Sequence, residues 1–180
     1  MNEMMRSGGS RRVRGVRGGI VALACAVTAF GGAVTAVADE PAALSVALTT
    51  IPGGEQAGVT PVPTLLVYSD GHAVHSPDAA DPKRDAGKAP KQQNGHVSLD
   101  VVHSVAAEAK KLGEADLGMP KDGGGGSTLL DFLGDTPDQD VHLVVYSPGG
   151  SDGLTDAQKA DRKRFTELDQ KLTKAFKADR

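Results

Sequence analysis

The sequence predicts an α+β fold: an antiparallel sheet of about five strands with two helices packed on one face, following a cleaved signal peptide. Three observations predict it. Short apolar runs with strand character occur at 44–51, 65–76, 127–134 and 140–147. Two longer stretches, 98–112 and 155–177, instead repeat their apolar residues at helical spacing. The resulting order, β-β-β-α-β-β-α, lacks the regular strand–helix alternation of a parallel sheet and suits strands paired in hairpins.

The first 38 residues read as an export signal. Arg6, Arg11, Arg12, Arg14 and Arg17 form a basic start, IVALACAVTAF an apolar centre, and Ala36-Val37-Ala38 a small-residue cleavage site before Asp39. Val13-Arg14-Gly15 lacks the hydrophobic pair of a twin-arginine signal, and Cys25 sits too early in the apolar run for a lipoprotein box. An uncleaved anchor through 20–38 is the alternative, since 19 residues just reach across a bilayer. Gly31-Gly32 and the Ala-Val-Ala site favour cleavage.

Removal of the signal leaves 142 residues, enough for one domain at 44–180 after a disordered start at 39–43. That chain has 15 basic and 22 acidic residues, a net charge of −7. An acidic chain without a basic stripe argues against nucleic acid and anionic lipid as partners. The only cysteine leaves with the signal, and with it disulfides, thiol nucleophiles and cysteine-bound zinc.

Each element has its own warrant. In LSVALTTI (44–51), Leu44, Val46 and Leu48 alternate with smaller or polar residues, as in a half-buried strand. Pro52-Gly53-Gly54 ends it and opens a loop to residue 63. LLVYSDGHAVHS predicts a hairpin around Asp70-Gly71, since a two-residue type I′ turn needs positive φ at both positions. That turn sets Ser69 opposite His72, Val67 opposite Val74 and Leu66 opposite His75. Tyr68 then shares a face with Leu66, Ala73 and His75. Residues 77–97 carry three prolines and few apolar side chains, and 113–127 end in four glycines; both read as mobile loops.

Ser98 caps the first helix, with Val97 and Val102 at the positions of a hydrophobic staple. Val102, Val105, Ala106, Ala109 and Leu112 form its apolar stripe. Thr155 and Gln158 form a capping box for the second helix, and Ala157, Phe165, Leu168, Leu172 and Phe176 its inward stripe.

No motif in the chain brings together a full set of catalytic or ligating residues. His72 and His75 are three apart on a strand and point to opposite sides of the sheet, so they cannot hold one ion together. His96 is placed in a loop and His103 beside the helix stripe; no metal site and no cofactor are expected. Gly149-Gly150-Ser151-Asp152-Gly153 matches G-x-S-x-G between a strand and a helix, but no histidine follows it and Pro148 precedes it. Lys121-Asp122 followed by four glycines places the lysine wrongly for a phosphate loop. Asp135, Asp138 and Asp140 lack the glycine and closing glutamate of a calcium loop.

Along Pro63, Leu65, Val67, Tyr68, Asp70 and Gly71 the chain resembles a family of actinobacterial secreted proteins and lipoproteins of unknown function. The resemblance continues through 98–113, Asp122, Ser127, Thr128 and Tyr146, and then through Leu154, Thr155, Gln158, Arg162 and Leu168. The four-glycine insertion and the long 77–97 loop depart from the family pattern. The resemblance implies export and a β-β-α order, and brings no catalytic residue.

These observations lead to an expected secreted, non-catalytic binding module. Its partner would be an extracellular or cell-envelope protein, with Tyr68, His75 and Tyr146 as binding residues. One alternative is a small serine hydrolase using Ser151 with His142 or His103. Another is an inhibitor of secreted hydrolases that inserts 77–97 or 119–127.

Overall fold

The computed structural model describes residues 41–54, 60–85 and 87–180. The expected signal at 1–38 lies outside them. Seven strands form one antiparallel sheet: β1 (Leu44–Ile51), β2 (Leu65–Tyr68), β3 (His72–His75), β4 (Gln93–His96), β5 (Ser127–Phe132), β6 (Val141–Tyr146) and β7 (Lys177–Ala178). They lie in the order β6-β5-β1-β2-β3-β4-β7, so β1 is flanked by β2 and β5. Helix α1 (Leu99–Leu112) follows β4, and α2 (Asp156–Ala175) follows β6. Among the described residues, no helix is long and apolar enough to cross a membrane.

Both helices bury their stripes on one face of the sheet. Val102, Val105, Ala109 and Leu112 of α1 and Phe165, Leu168 and Leu172 of α2 close over Val46, Leu48, Val67, Leu130, Leu143 and Val145. The α1 staple residues Val97 and Val102 are both buried, while Ser98 makes no side-chain cap bond. The predicted capping box of α2 is complete: Thr155 Oγ1 accepts from Gln158 N at 3.2 Å, and Gln158 Oε1 accepts from Thr155 N at 2.9 Å.

The sheet is wider than the five strands expected. Gln93-Asn94-Gly95-His96, read as part of a loop, is β4, and His96 therefore sits on a strand. Its backbone pairs with β3 on one side and β7 on the other, with the Phe176 ring close over Gly95. Helix α2 stops at Ala175 rather than 177, which frees Lys177 and Ala178 to form β7. Ala157 is exposed rather than part of the inward stripe, and Leu154 and Arg162 are buried instead. Ala43, expected in a disordered lead-in, exchanges bonds with Ser69 (2.8 and 3.1 Å).

The hairpin register is also shifted by one residue. Leu65 pairs with His75, Leu66 with Val74 and Val67 with Ala73. The loop has three residues, Ser69-Asp70-Gly71, with Gly71 N–H donating to Tyr68 O at 2.9 Å and Gly71 at φ +85°. An Asp-Gly pair serves this loop as well as the two-residue one, because in both a glycine takes the left-handed position.

Nor is the four-glycine run a free linker. Gly126 has φ +78°, and a Cβ there would lie 2.2 Å from Ile51 O. A Cβ on Gly53 would lie 2.2 Å from Gly124 O. The turn after β1 and the glycine run before β5 are thus packed backbone against backbone. Side-chain bonds also organise residues 78–83 and tie them to Lys91: Asp78 accepts from Lys91 N (2.8 Å) and Asp81 from Lys83 N (2.8 Å).

Candidate functional site

Strand alternation sends one set of side chains to the helices and the other to the opposite face, to which neither helix contributes. The pairings align this second set in rows. Across six strands run His142, Asp131, Ala47, Leu66, Val74 and Asn94. Toward one end lie Leu44, Tyr68, His72, His96 and Lys177, and toward the other Val144, Leu129 and Thr49, then Tyr146, Ser127 and Ile51. Ala47, Thr49, Leu66, Val74, Leu129 and Val144 are all half-buried, covering one another only in part. The result is an apolar middle with rings and charged groups around it.

One corner carries a connected cluster. Tyr68 and His72 have ring centroids 5.5 Å apart, and His72 meets His96 edge-on at 6.0 Å. His96 Nδ1 is 3.0 Å from Asp179 Oδ1. At β6, His142 Nδ1 lies 2.8 Å from Asp131 Oδ1. Such a pair fixes an imidazole's orientation, yet no serine, threonine or cysteine shares its row.

The three expected binding residues do not converge. Tyr68 and Tyr146 do lie on the same open face, with Tyr146 47 % exposed, but at opposite corners. Three strand steps and seven residues of rise separate them by roughly 25 Å. His75 lies on the other face, because the one-residue shift pairs it with Leu65 instead of Leu66. There its ring packs against Phe176 at 5.1 Å. Tyr68 therefore shares its face with His72 and His96, not with Ala73 and His75. Only a correct loop length and the presence of β4 would have revealed that cluster.

Ser151 is exposed and lines a groove along α2 with Pro148, Leu154, Lys159, Arg162 and Glu167; no histidine lines it. His142 is committed to Asp131 on the open face, and His103 is exposed on α1. Among the described residues, neither histidine expected to serve Ser151 is brought to it.

The strained serine in this region is Ser147, with φ +44° and 2 % exposure. Its hydroxyl donates to Asp122 O at 3.1 Å and accepts from Gly125 N at 3.1 Å, so its proton is committed to the backbone. Beside it Arg162, 5 % exposed, donates to Tyr146 O and Ser147 O (both 2.6 Å), Leu117 O (3.2 Å) and Gly118 O (3.4 Å). Burial pulls the Arg162 pKa down and Asp122 partly offsets it; a guanidinium so placed keeps its charge. Together these residues tie two loops and the end of β6 to α2. Their role is structural.

Two surface carboxylates elsewhere are held by specific partners. Arg164 and then Lys111 hold Glu108 below the usual carboxylate range, and the Gly118 N–H and Gln158 do the same for Asp116. Among the described residues no three metal-ligating side chains come together. Compared with protein-family models, with curated proteins and with solved structures, the chain matches none.

Proposed function

We propose that the chain is an exported, non-catalytic binding module that engages an extracellular or cell-envelope protein through the open face of its sheet. The observation that carries this reading is the composition of that face. Ala47, Leu66, Val74, Leu129 and Val144 form an apolar middle, and Tyr68, His72, His96 and Tyr146 stand around it. Aromatic side chains around a desolvating centre are what protein interfaces use for affinity. A solvated face has less use for leucine and valine, although a lone exposed apolar residue needs no explanation. The dispersion of titratable groups supports the non-catalytic part.

The test is capture. The protein is immobilised, exposed to its host's culture supernatant and envelope extract, and the retained proteins are identified by mass spectrometry. A single reproducible partner, lost on Tyr68→Ala with the fold intact, is the expected outcome. An esterase or peptidase activity abolished by Ser151→Ala would overturn the reading.

A further inference from the structure

We propose that β6 is a docking strand for a second copy of this chain, the two β6 strands pairing antiparallel about a two-fold axis at Val144 to join two sheets into one. The inference concerns the edge of the sheet and does not depend on the open face binding another protein.

The two sheet edges differ. Beyond β4 the chain closes its own edge with β7, and Asp179 N–H donates to Asn94 O at 3.0 Å. The outermost strand there has only two residues and is flanked by charge at Asp179 and Arg180. Short, charged outer strands discourage pairing. At the opposite edge, β6 offers six residues, VHLVVY, without proline, lysine, arginine or carboxylate. Its ladder with β5 runs from Phe132–Val141 to Ser127–Tyr146 with no bulge. The strand itself carries no proline, charge or bulge to protect it, although the 112–119 segment stands beside it and Arg162 holds Tyr146 O.

Hydrogen-bond parity shows which groups are free. Ser147 N–H donates to Gly126 O at 2.7 Å, continuing the β5–β6 ladder. Bonding alternates along an antiparallel strand, so odd residues of β6 face β5 and His142, Val144 and Tyr146 turn their N–H and C=O groups outward. Among the described residues, the only bond to those outward groups is from Arg162 to Tyr146 O.

An axis at Val144 makes this edge self-complementary. It sets Val144 opposite Val144, His142 opposite Tyr146, and Leu143 opposite Val145, so open face meets open face and no like charges are opposed. Two bonds form between the Val144 residues and two more from Tyr146 N–H to His142 O, leaving the Arg162 bonds untouched. On the helix side, a groove beside the edge, lined by Leu112, Ala115, Leu117 and Met119 with Asp116 among them, lies where Leu143 and Val145 of the second copy would sit. Met119 (64 %) and Tyr146 (47 %) are two of the three exposed large apolar side chains among the described residues, and both border this groove.

The test combines sedimentation with amide hydrogen exchange on the intact chain, from low to high micromolar concentration. The expected result is a concentration-dependent dimer in which the Val144 and Tyr146 amides become protected as it forms. Val144→Pro removes an outward N–H without touching the β5 ladder and should leave a monomer, whereas Val144→Ala should still dimerise. If Val144→Pro does not fold, the exchange data on the unaltered protein decide alone. A monomer at every concentration, or a dimer in which those amides stay unprotected, overturns the proposal and leaves the edge to a strand from another protein.

Discussion

The two faces of one sheet are made by the same alternation and are buried to different extents. On the helix side, Val46, Val67 and Leu130 are fully buried, and Leu48, Leu143 and Val145 nearly so. On the open side, their immediate neighbours Ala47, Leu66, Leu129 and Val144 remain half-buried. Folding needs the first set. The second set contributes less burial, and its apolar middle is the part that the proposed binding would use.

Substitution should separate the faces. Leu130→Ala and Phe165→Ala, both in the closed core, should each cost about 3–5 kcal/mol in denaturant unfolding. Leu129→Ala, one residue away on the open face, should cost no more than about 1 kcal/mol. Equal losses at 129 and 130 would mean that the open face is covered and the contrast false. Arg162→Met should cost about 2–4 kcal/mol, because it withdraws the donor from four carbonyls in a buried site. Its far-ultraviolet spectrum should remain native while proteolysis becomes faster at 113–126.

A smaller effect has a definite sign with pH. Burial raises the Asp169 pKa, and the hydrogen bond from Thr173 only partly opposes this. The folded state therefore holds this proton more tightly than the unfolded chain does. Stability from this group is present at low pH and falls as pH rises from the unfolded value through the folded one. Asp169→Asn should then raise the melting temperature slightly at neutral pH, and the gain should vanish below the unfolded carboxylate range. A gain that persisted in acid would assign the effect to packing rather than charge. The smallest stability effect is expected at the open corner: His72→Ala should change stability by less than about 0.5 kcal/mol.

Much of the fold was legible because periodicity is a side-chain property. Strands β1, β5 and β6, both helices, the capping box and the staple all announce themselves through spacing. Strands β4 and β7 do not, since Gln93-Asn94-Gly95-His96 and Lys177-Ala178 are made strands by backbone pairing rather than by any burial pattern. Arg162 was hidden for another reason: on a helix rich in Lys, Arg and Asp, a buried guanidinium looks like a solvated one. The candidate site suffered most from a single residue of register. Asp70-Gly71 marks a turn but leaves its length open, and that length decides whether Tyr68 accompanies His75 or His72. Strand order was beyond the sequence too, and with it the separation of Tyr68 from Tyr146.

The central claim is that the open face is the surface that engages the proposed extracellular or envelope partner. It is tested most directly by capture from host envelope extract with three immobilised forms: the unaltered protein, Leu129→Glu on the open face, and Lys163→Glu on the outer side of α2. A partner retained by the unaltered protein and by Lys163→Glu, but lost from Leu129→Glu, is the predicted result. Retention by Leu129→Glu together with loss from Lys163→Glu would contradict the account and move the working surface to the helices.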